Sequence, residues 1–167
     1  RACDGGAEPF RRVTNVRAGG IADPSMDRLS LLAGNKKCSL FEAASATPEE
    51  LATIGLREAA AAKFRAFAGM LAPFIAQSRS EEAFTLASRI GDACGYVMAV
   101  RTDNTPEGQA RAENVEELFN SIKEYSEEEA EMRRELADDV QGEGMEIVTL
   151  SDFLENIALL SEVEKDD

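Results

Sequence analysis

The sequence predicts an all-α fold, a compact helical subdomain of about seven or eight helices with helix–hairpin–helix-like turns. Apolar residues recur at helical spacing in segment after segment. The clearest case is Ala112 to Tyr125, where Val115, Leu118, Phe119, Ile122 and Tyr125 share one face and Glu116, Glu117, Asn120, Lys123 and Glu124 the other. Capping residues, glycines and prolines punctuate these stripes at helix-length intervals. No segment sustains the period-two alternation of a half-buried strand.

Phe10, Val13 and Val16 sit at helix-like spacing in residues 8–16, and the small-residue run Arg17 to Ala22 then forms a tight loop. Asp23-Pro24 restarts a helix, with Asp able to cap free N–H groups and proline tolerated at the first position. That helix spans Pro24 to about Ala33, turns Met26, Leu29 and Leu32 or Ala33 inward, and stops at Gly34-Asn35. A short helix follows over Ser39 to Ala46, around Leu40 and Phe41. Thr47-Pro48-Glu49-Glu50 then carries the cap, proline and glutamate of a capping box. Ile54-Gly55-Leu56 ends the helix so started.

From Arg57, the spacing of Ala60, Phe64, Phe67, Leu71 and Phe74 predicts a helix of about twenty residues, kinked or shortened by Pro73. Ser78 and Glu81 predict the cap of the next, with Phe84, Ala87, Ile90, Cys94 and Val97 inward. Gly91 and Gly95 mark a close approach by another helix. Arg101 to Asn104 is a polar connection, and Thr105-Pro106 opens the long helix. Residues 127–148 form an acidic helix with a thin stripe at Met132, Leu136 and Val140, then a flexible connection at Gln141 to Gly144. Thr149 and Asp152 cap a last helix bearing Leu150, Phe153, Leu154, Ile157 and Leu160.

The 167 residues suffice for one helical subdomain, 1–167, with a sizeable core. Opening at Arg1 rather than Met, the chain reads as an excised fragment. No run approaches the length of a membrane span, and no membrane partner is expected. Three widely spaced cysteines without a CxxC pair fit a reducing, cytoplasmic setting better than a disulfide or zinc framework. Histidine is absent, which excludes a Ser-His triad, a His-ligated metal and a His base. There is no GxxxxGK[ST] phosphate loop, so no nucleotide hydrolysis is expected of this chain. Asp138-Asp139 and the neighbouring glutamates are a solvated face rather than a metal site. No catalytic residue, cofactor or metal ligand is assigned.

The net charge of −14 is unevenly placed: residues 1–79 carry 11 basic and 8 acidic residues, residues 80–167 carry 7 and 24. Such asymmetry points either to two different surfaces or, more plainly, to a solvated acidic face beside an ordinary neutral half. In the less acidic half, two glycine turns stand immediately before helix starts. In a helix–hairpin–helix, glycine lets the backbone approach a nucleic-acid phosphate that the free N–H groups at the helix start hold. The candidate DNA contacts are Arg17, Gly19, Gly20, Ile21, Ser25 and Arg28 at the first turn. At the second they are Gly55, Leu56, Arg57 and Lys63, with Arg65 nearby. The competing reading is a pair of tight αα-turns with Ile21 and Ile54 as core plugs. A second function class is open as well: a protein-interaction module whose acidic helices dock a basic partner.

Six pieces of wording run in register along the chain: NVRAGGIADPSM, SLFEA, IGLREAAAAKFRAF, CGYVMAV, ARAENVEELFNSIKEY and TLSDFLENIALLSE. Together, from about Glu8 to Glu162, they resemble the 2B subdomain of UvrD/PcrA/Rep-type superfamily 1 DNA helicases. The most specific are Arg111-x-Glu113-Asn114-x-x-Glu117-Leu118 and Leu150-x-x-Phe153-Leu154-x-x-x-Ala158-Leu159. The resemblance implies a swivelling regulatory insertion in the second motor domain of a 3′-to-5′ ATP-dependent DNA helicase of repair or replication. It implies duplex DNA at a single-strand/double-strand junction, the remaining motor domains and repair proteins as partners. ATP and Mg2+ belong to the parent's motor, outside this chain. The family's glycine–isoleucine–glycine turn corresponds to Gly20-Ile21-Ala22, with Ala22 replacing the second glycine; the Gly55 turn keeps its own. Arg111, Glu113 and Asn114 match the family pattern but are read as structural, tying loops to a helix start.

Overall fold

The computed structural model describes residues 23–139 and 147–163. Among them are eight α-helices and no strand. The all-α expectation holds. The predicted helix at residues 8–16, the first glycine turn and the connection from Gln141 to Gly144 lie outside the described residues. The chain divides into two compact units, Arg1–Pro73 and Phe74–Asp167.

The first unit contains α1 (Asp23–Lys36), α2 (Leu40–Ala44), α3 (Pro48–Thr53) and most of α4 (Glu58–Gln77). Met26 and Leu29 of α1, Leu51 of α3 and Phe64 of α4 are fully buried, and alanines 43, 44, 61 and 68 let the helices approach closely. Both short helices begin with a capping box, the one at Thr47 as predicted and the one at Ser39 unforeseen. Glu42 N–H donates to Ser39 Oγ at 3.2 Å while the Glu42 carboxylate accepts from Ser39 N–H at 2.8 Å. Thr47 and Glu50 repeat the exchange at 3.3 and 3.1 Å.

The end of α1 needs a correction: the helix runs through Gly34-Asn35 to Lys36. The left-handed residue that terminates it is Lys37, with φ 53°. Lys37 N–H bonds the Gly34 carbonyl at 3.2 Å and Cys38 N–H the Ala33 carbonyl at 3.0 Å. These are the two bonds of a Schellman cap. Cys38 packs on the core that contains Ala33, and that contact fixes where the helix stops.

Pro73 does not shorten α4, which continues to Gln77. By length and composition α4 would also pass for a membrane span. One face of it, with Ala61, Phe64, Phe67 and Ala68, is buried, and Lys63 and Arg65 stand in its middle.

The second unit holds α5 (Ala83–Ala93), α6 (Tyr96–Thr102), α7 (Pro106–Asp139) and α8 (Leu150–Val163). Its core joins Ala83, Ala87, Ile122 and Phe153, with Phe84 edge-on to Phe119 and Tyr125 edge-on to Phe153. The cap of α5 is Glu82 rather than Ser78. The Glu82 carboxylate accepts from the N–H groups of Phe84 and Thr85, both at 2.8 Å, while the Ser78 hydroxyl donates back to Ile75. The helix predicted to run on to Val97 breaks at left-handed Gly95, φ 65°, so Val97 belongs to α6. Gly91 is a close approach, as expected: a Cβ there would lie 2.9 Å from Phe119 Cζ and from Val97 Cγ2.

The stripe on α7 is only partly covered. Ile122 is 4% exposed, Leu118 49%. A helix of 34 residues extends about 50 Å, and the short α5 and α6 cannot cover that length. Likewise α8 buries Phe153 but leaves Leu154, Ile157 and Leu160 exposed.

Arg133 joins α7 to α8. Its Nε meets Glu129 at 2.8 Å, Nη2 meets Asp152 at 3.4 Å and Nη1 donates to the Ile147 carbonyl at 3.3 Å. Asp152 also accepts from Thr149 N–H and hydroxyl at 2.7 and 3.0 Å, the predicted cap. Burial pushes its carboxyl upward, but donation by Thr149 and the Arg133 charge outweigh that and hold it below the ordinary value. A depressed folded pKa contributes stability above the unfolded value, which is lost as pH falls through the folded one. Acid titration is therefore expected to loosen α8 from α7 below about pH 4. Asp152→Asn should flatten that part of the melting-temperature profile. An unchanged acid dependence in the variant would remove Asp152 as its source.

Candidate nucleic-acid interface

The described part of the candidate site is the α3–turn–α4 hairpin. The last turn of α3 leaves carbonyls without helical partners, and the chain closes them with a second Schellman cap. Gly55 N–H bonds the Ala52 carbonyl at 2.9 Å and Leu56 N–H the Leu51 carbonyl at 3.2 Å. Gly55 has φ +74°, which favours glycine here. The exposed glycine thus has a structural reason independent of any ligand. Ile54 packs against the core, as the core-plug reading of it expects, whereas Leu56, a candidate DNA contact, has its side chain buried in that core and turned to packing instead. Two N–H groups at the tip of the turn are already used.

The donors that remain belong to the start of α4. Arg57 stands at the position before Glu58, and a guanidinium has no acceptor with which to cap the helix. The first N–H groups of α4 therefore lack a side-chain cap from that residue, and the helix dipole favours an anion there. Glu58 in the first turn opposes this. Arg57 itself is exposed.

Lys63 and Arg65 are both exposed, but two residues apart on a helix they point about 160° away from one another. Arg65 lines a shallow groove with Pro48, Glu49, Ala52, Leu56, Glu58, Ala61 and Ala62. Lys63 lies on the other flank of the buried stripe. The two therefore cannot serve one phosphate together. Ser25 is half-buried on α1. Arg17, Gly19, Gly20 and Ile21 lie outside the described residues, as does Ala22.

Arg28 is where the structure adds most. Its guanidinium donates to the Gly55 carbonyl across 27 residues of chain, and a Cβ on Gly55 would stand 3.2 Å from Arg28 Nη1. Arg28, nearer the first turn in sequence, is thus fastened to the second. Lys36, at the far end of α1, bonds the Glu50 carboxylate inside the α3 capping box. Lys36, followed by Thr47 N–H, holds that carboxyl below its ordinary range. Sequence spacing gives no signal for either link.

In the second unit, Arg111 bonds the Glu107 carbonyl at 3.2 Å and faces Asp103 at 3.9 Å. That ties a loop to the start of α7, as its structural reading requires. Among the described residues no group of three or more His, Cys, Asp or Glu is placed to hold a metal ion.

No protein-family model matches the chain. No solved structure matches it significantly. The chain is similar to the ATP-dependent DNA helicase PcrA of Leuconostoc citreum, 31% identical over 156 residues, which is 93% of this chain and 19% of that protein. It thus spans about a fifth of the length of the curated relative it matches.

Proposed function

We propose that this chain is the 2B-type regulatory subdomain of a 3′-to-5′ ATP-dependent DNA helicase, touching duplex DNA at a junction and performing no catalysis itself. The observation that carries this reading is similarity to a helicase along 93% of the chain. The all-α architecture supports it, as does a glycine turn leading into a helix start beside Arg28, Arg57 and Arg65. ATP and Mg2+ would be bound by motor domains outside this chain, which with repair proteins are the expected protein partners in the cytoplasm. An interaction module would show exposed apolar surface on the last helices and no basic surface around the two glycine turns; aliphatics of α7 and α8 are exposed, but so are Arg28, Arg57 and Arg65 near the one turn described.

Each phosphate neutralised should contribute about 0.9 to the slope of log affinity against log salt. The chain is expected to bind labelled duplex with a single-stranded tail weakly and with steep salt dependence. Arg57→Ala should lower affinity and reduce the slope by about 0.9. Gly55→Asp, which adds a carboxylate and strains the turn, should abolish binding. Equal weak binding by wild type and both variants would sink the site. ATP hydrolysis by the purified chain would overturn the non-catalytic assignment.

A further inference from the structure

We infer that Arg28 is a positioning residue for the Gly55 turn rather than one of its phosphate contacts. The inference rests on the duplex-contacting reading of that turn. Arg28 and Lys36 lie eight residues apart on α1, roughly 12 Å along its axis and about 80° apart around it. Each reaches one end of α3. Lys36 holds the Glu50 carboxylate at its start, and Arg28 holds the Gly55 carbonyl just past its end. Between these points Leu29 of α1 and Leu51 of α3 are fully buried in one core. Two cations from one helix therefore clamp the short α3 at both ends.

The clamp has a consequence for binding. Gly55 and Leu56 N–H groups are spent on the Schellman bonds, while the Gly55 carbonyl, at an exposed residue, is left as an acceptor that Arg28 fills. A phosphate approaching the α4 start would meet that dipole. Arg28 covers it with a donor and places a positive charge against the glycine, where the lack of a Cβ permits the approach. The guanidinium satisfies that carbonyl and fixes the backbone that leads into Arg57 and the first turn of α4. The bond leaves the positive charge of Arg28 intact but ties its Nη1 donor to the Gly55 carbonyl, which holds the guanidinium on the turn rather than on a phosphate.

The test is amide hydrogen exchange on the chain carrying Arg28→Ala or Arg28→Lys, paired with anisotropy titrations of labelled tailed duplex at several salt concentrations. Arg28→Ala is expected to speed exchange at Gly55 and Leu56 at least fivefold without DNA. It should also weaken duplex binding about fivefold while leaving the salt slope within a few tenths of wild type. Arg28→Lys, a point charge without the planar fork, should show the same loosening in smaller degree. Unchanged exchange at Gly55 and Leu56 in Arg28→Ala overturns the clamp. A slope reduced by about 0.9 makes Arg28 a phosphate contact and overturns the assignment. A wild-type chain that ignores duplex DNA defeats the positioning role with the reading it rests on, while the exchange data still decide the clamp itself.

Discussion

Phe64→Ala is expected to destabilise the first unit by about 3 to 5 kcal/mol, the range for truncating a fully buried aromatic. Among the described residues Phe64 is the largest side chain with no exposure, and its fellow core members come from every helix that holds the Gly55 turn: Met26 and Leu29 on α1, Leu51 on α3. The cavity would open where three helices meet, and short α2 and α3 have little packing of their own with which to collapse into it. Domains of this size are stable by only about 5 to 15 kcal/mol, so one such loss consumes much of the margin. Ile75→Ala, on the same helix at a 51% exposed position, should stay within about 0.5 kcal/mol of wild type. Urea unfolding followed by far-UV circular dichroism measures both. A Phe64→Ala cost below about 1 kcal/mol would mean that the site is not packed as described. Duplex binding should fall with the fold, because Leu56 anchors the turn in the same core.

What the sequence made legible was local. Capping boxes at Thr47 and at Thr149 involve groups three residues apart, and their chemistry is decided within one turn of chain. The first limit appeared where two local solutions compete. Ser78 spends its hydroxyl on the Ile75 carbonyl of the preceding helix, and the Glu82 carboxylate meets the Phe84 and Thr85 N–H groups at the start of α5. Gly34-Asn35 and Lys37 show the same limit from the other side. Gly34-Asn35 has the lower cost in a left-handed conformation, yet Lys37 adopts it because Cys38 can then reach the core. The second limit is supply. A stripe such as Val115, Leu118, Phe119 and Ile122 identifies the face that turns inward, but not how much partner surface exists to cover it. Leu118 is consequently half exposed. In the candidate site, Gly55 was legible as a turn. Its two spent N–H groups and the Arg28 link were not, since the first depends on the fate of the helix end and the second on a contact 27 residues distant.

The glycines of the second unit make a sharper test, because their substitution should act against helix propensity. In an ordinary helical position Gly→Ala gains about 1 kcal/mol. Gly108→Ala is expected to lose roughly 2 kcal/mol instead, the balance of that gain against overpacking and a weakened cap. Gly108 is buried in the first turn of α7, and its N–H donates to the Thr105 hydroxyl at 3.0 Å. A Cβ would fall 2.2 Å from Asp103 Cγ and 2.5 Å from the Asp103 carbonyl oxygen. A carbonyl oxygen cannot rotate away as a side chain can. The connection must lift, and with it the Asp103 carboxylate that accepts from the Thr105 N–H and hydroxyl at 3.1 and 2.6 Å. Gly91 is the comparison. Its close neighbours are the rim of the Phe119 ring and a Val97 methyl, both 2.9 Å from the added carbon, and side chains can give by small rotations. Gly91→Ala should therefore cost less than Gly108→Ala, despite joining two helices. Thermal unfolding of both variants decides the order. A Gly108→Ala chain as stable as wild type, or more so, would show that the loop before α7 does not lie against the helix as described.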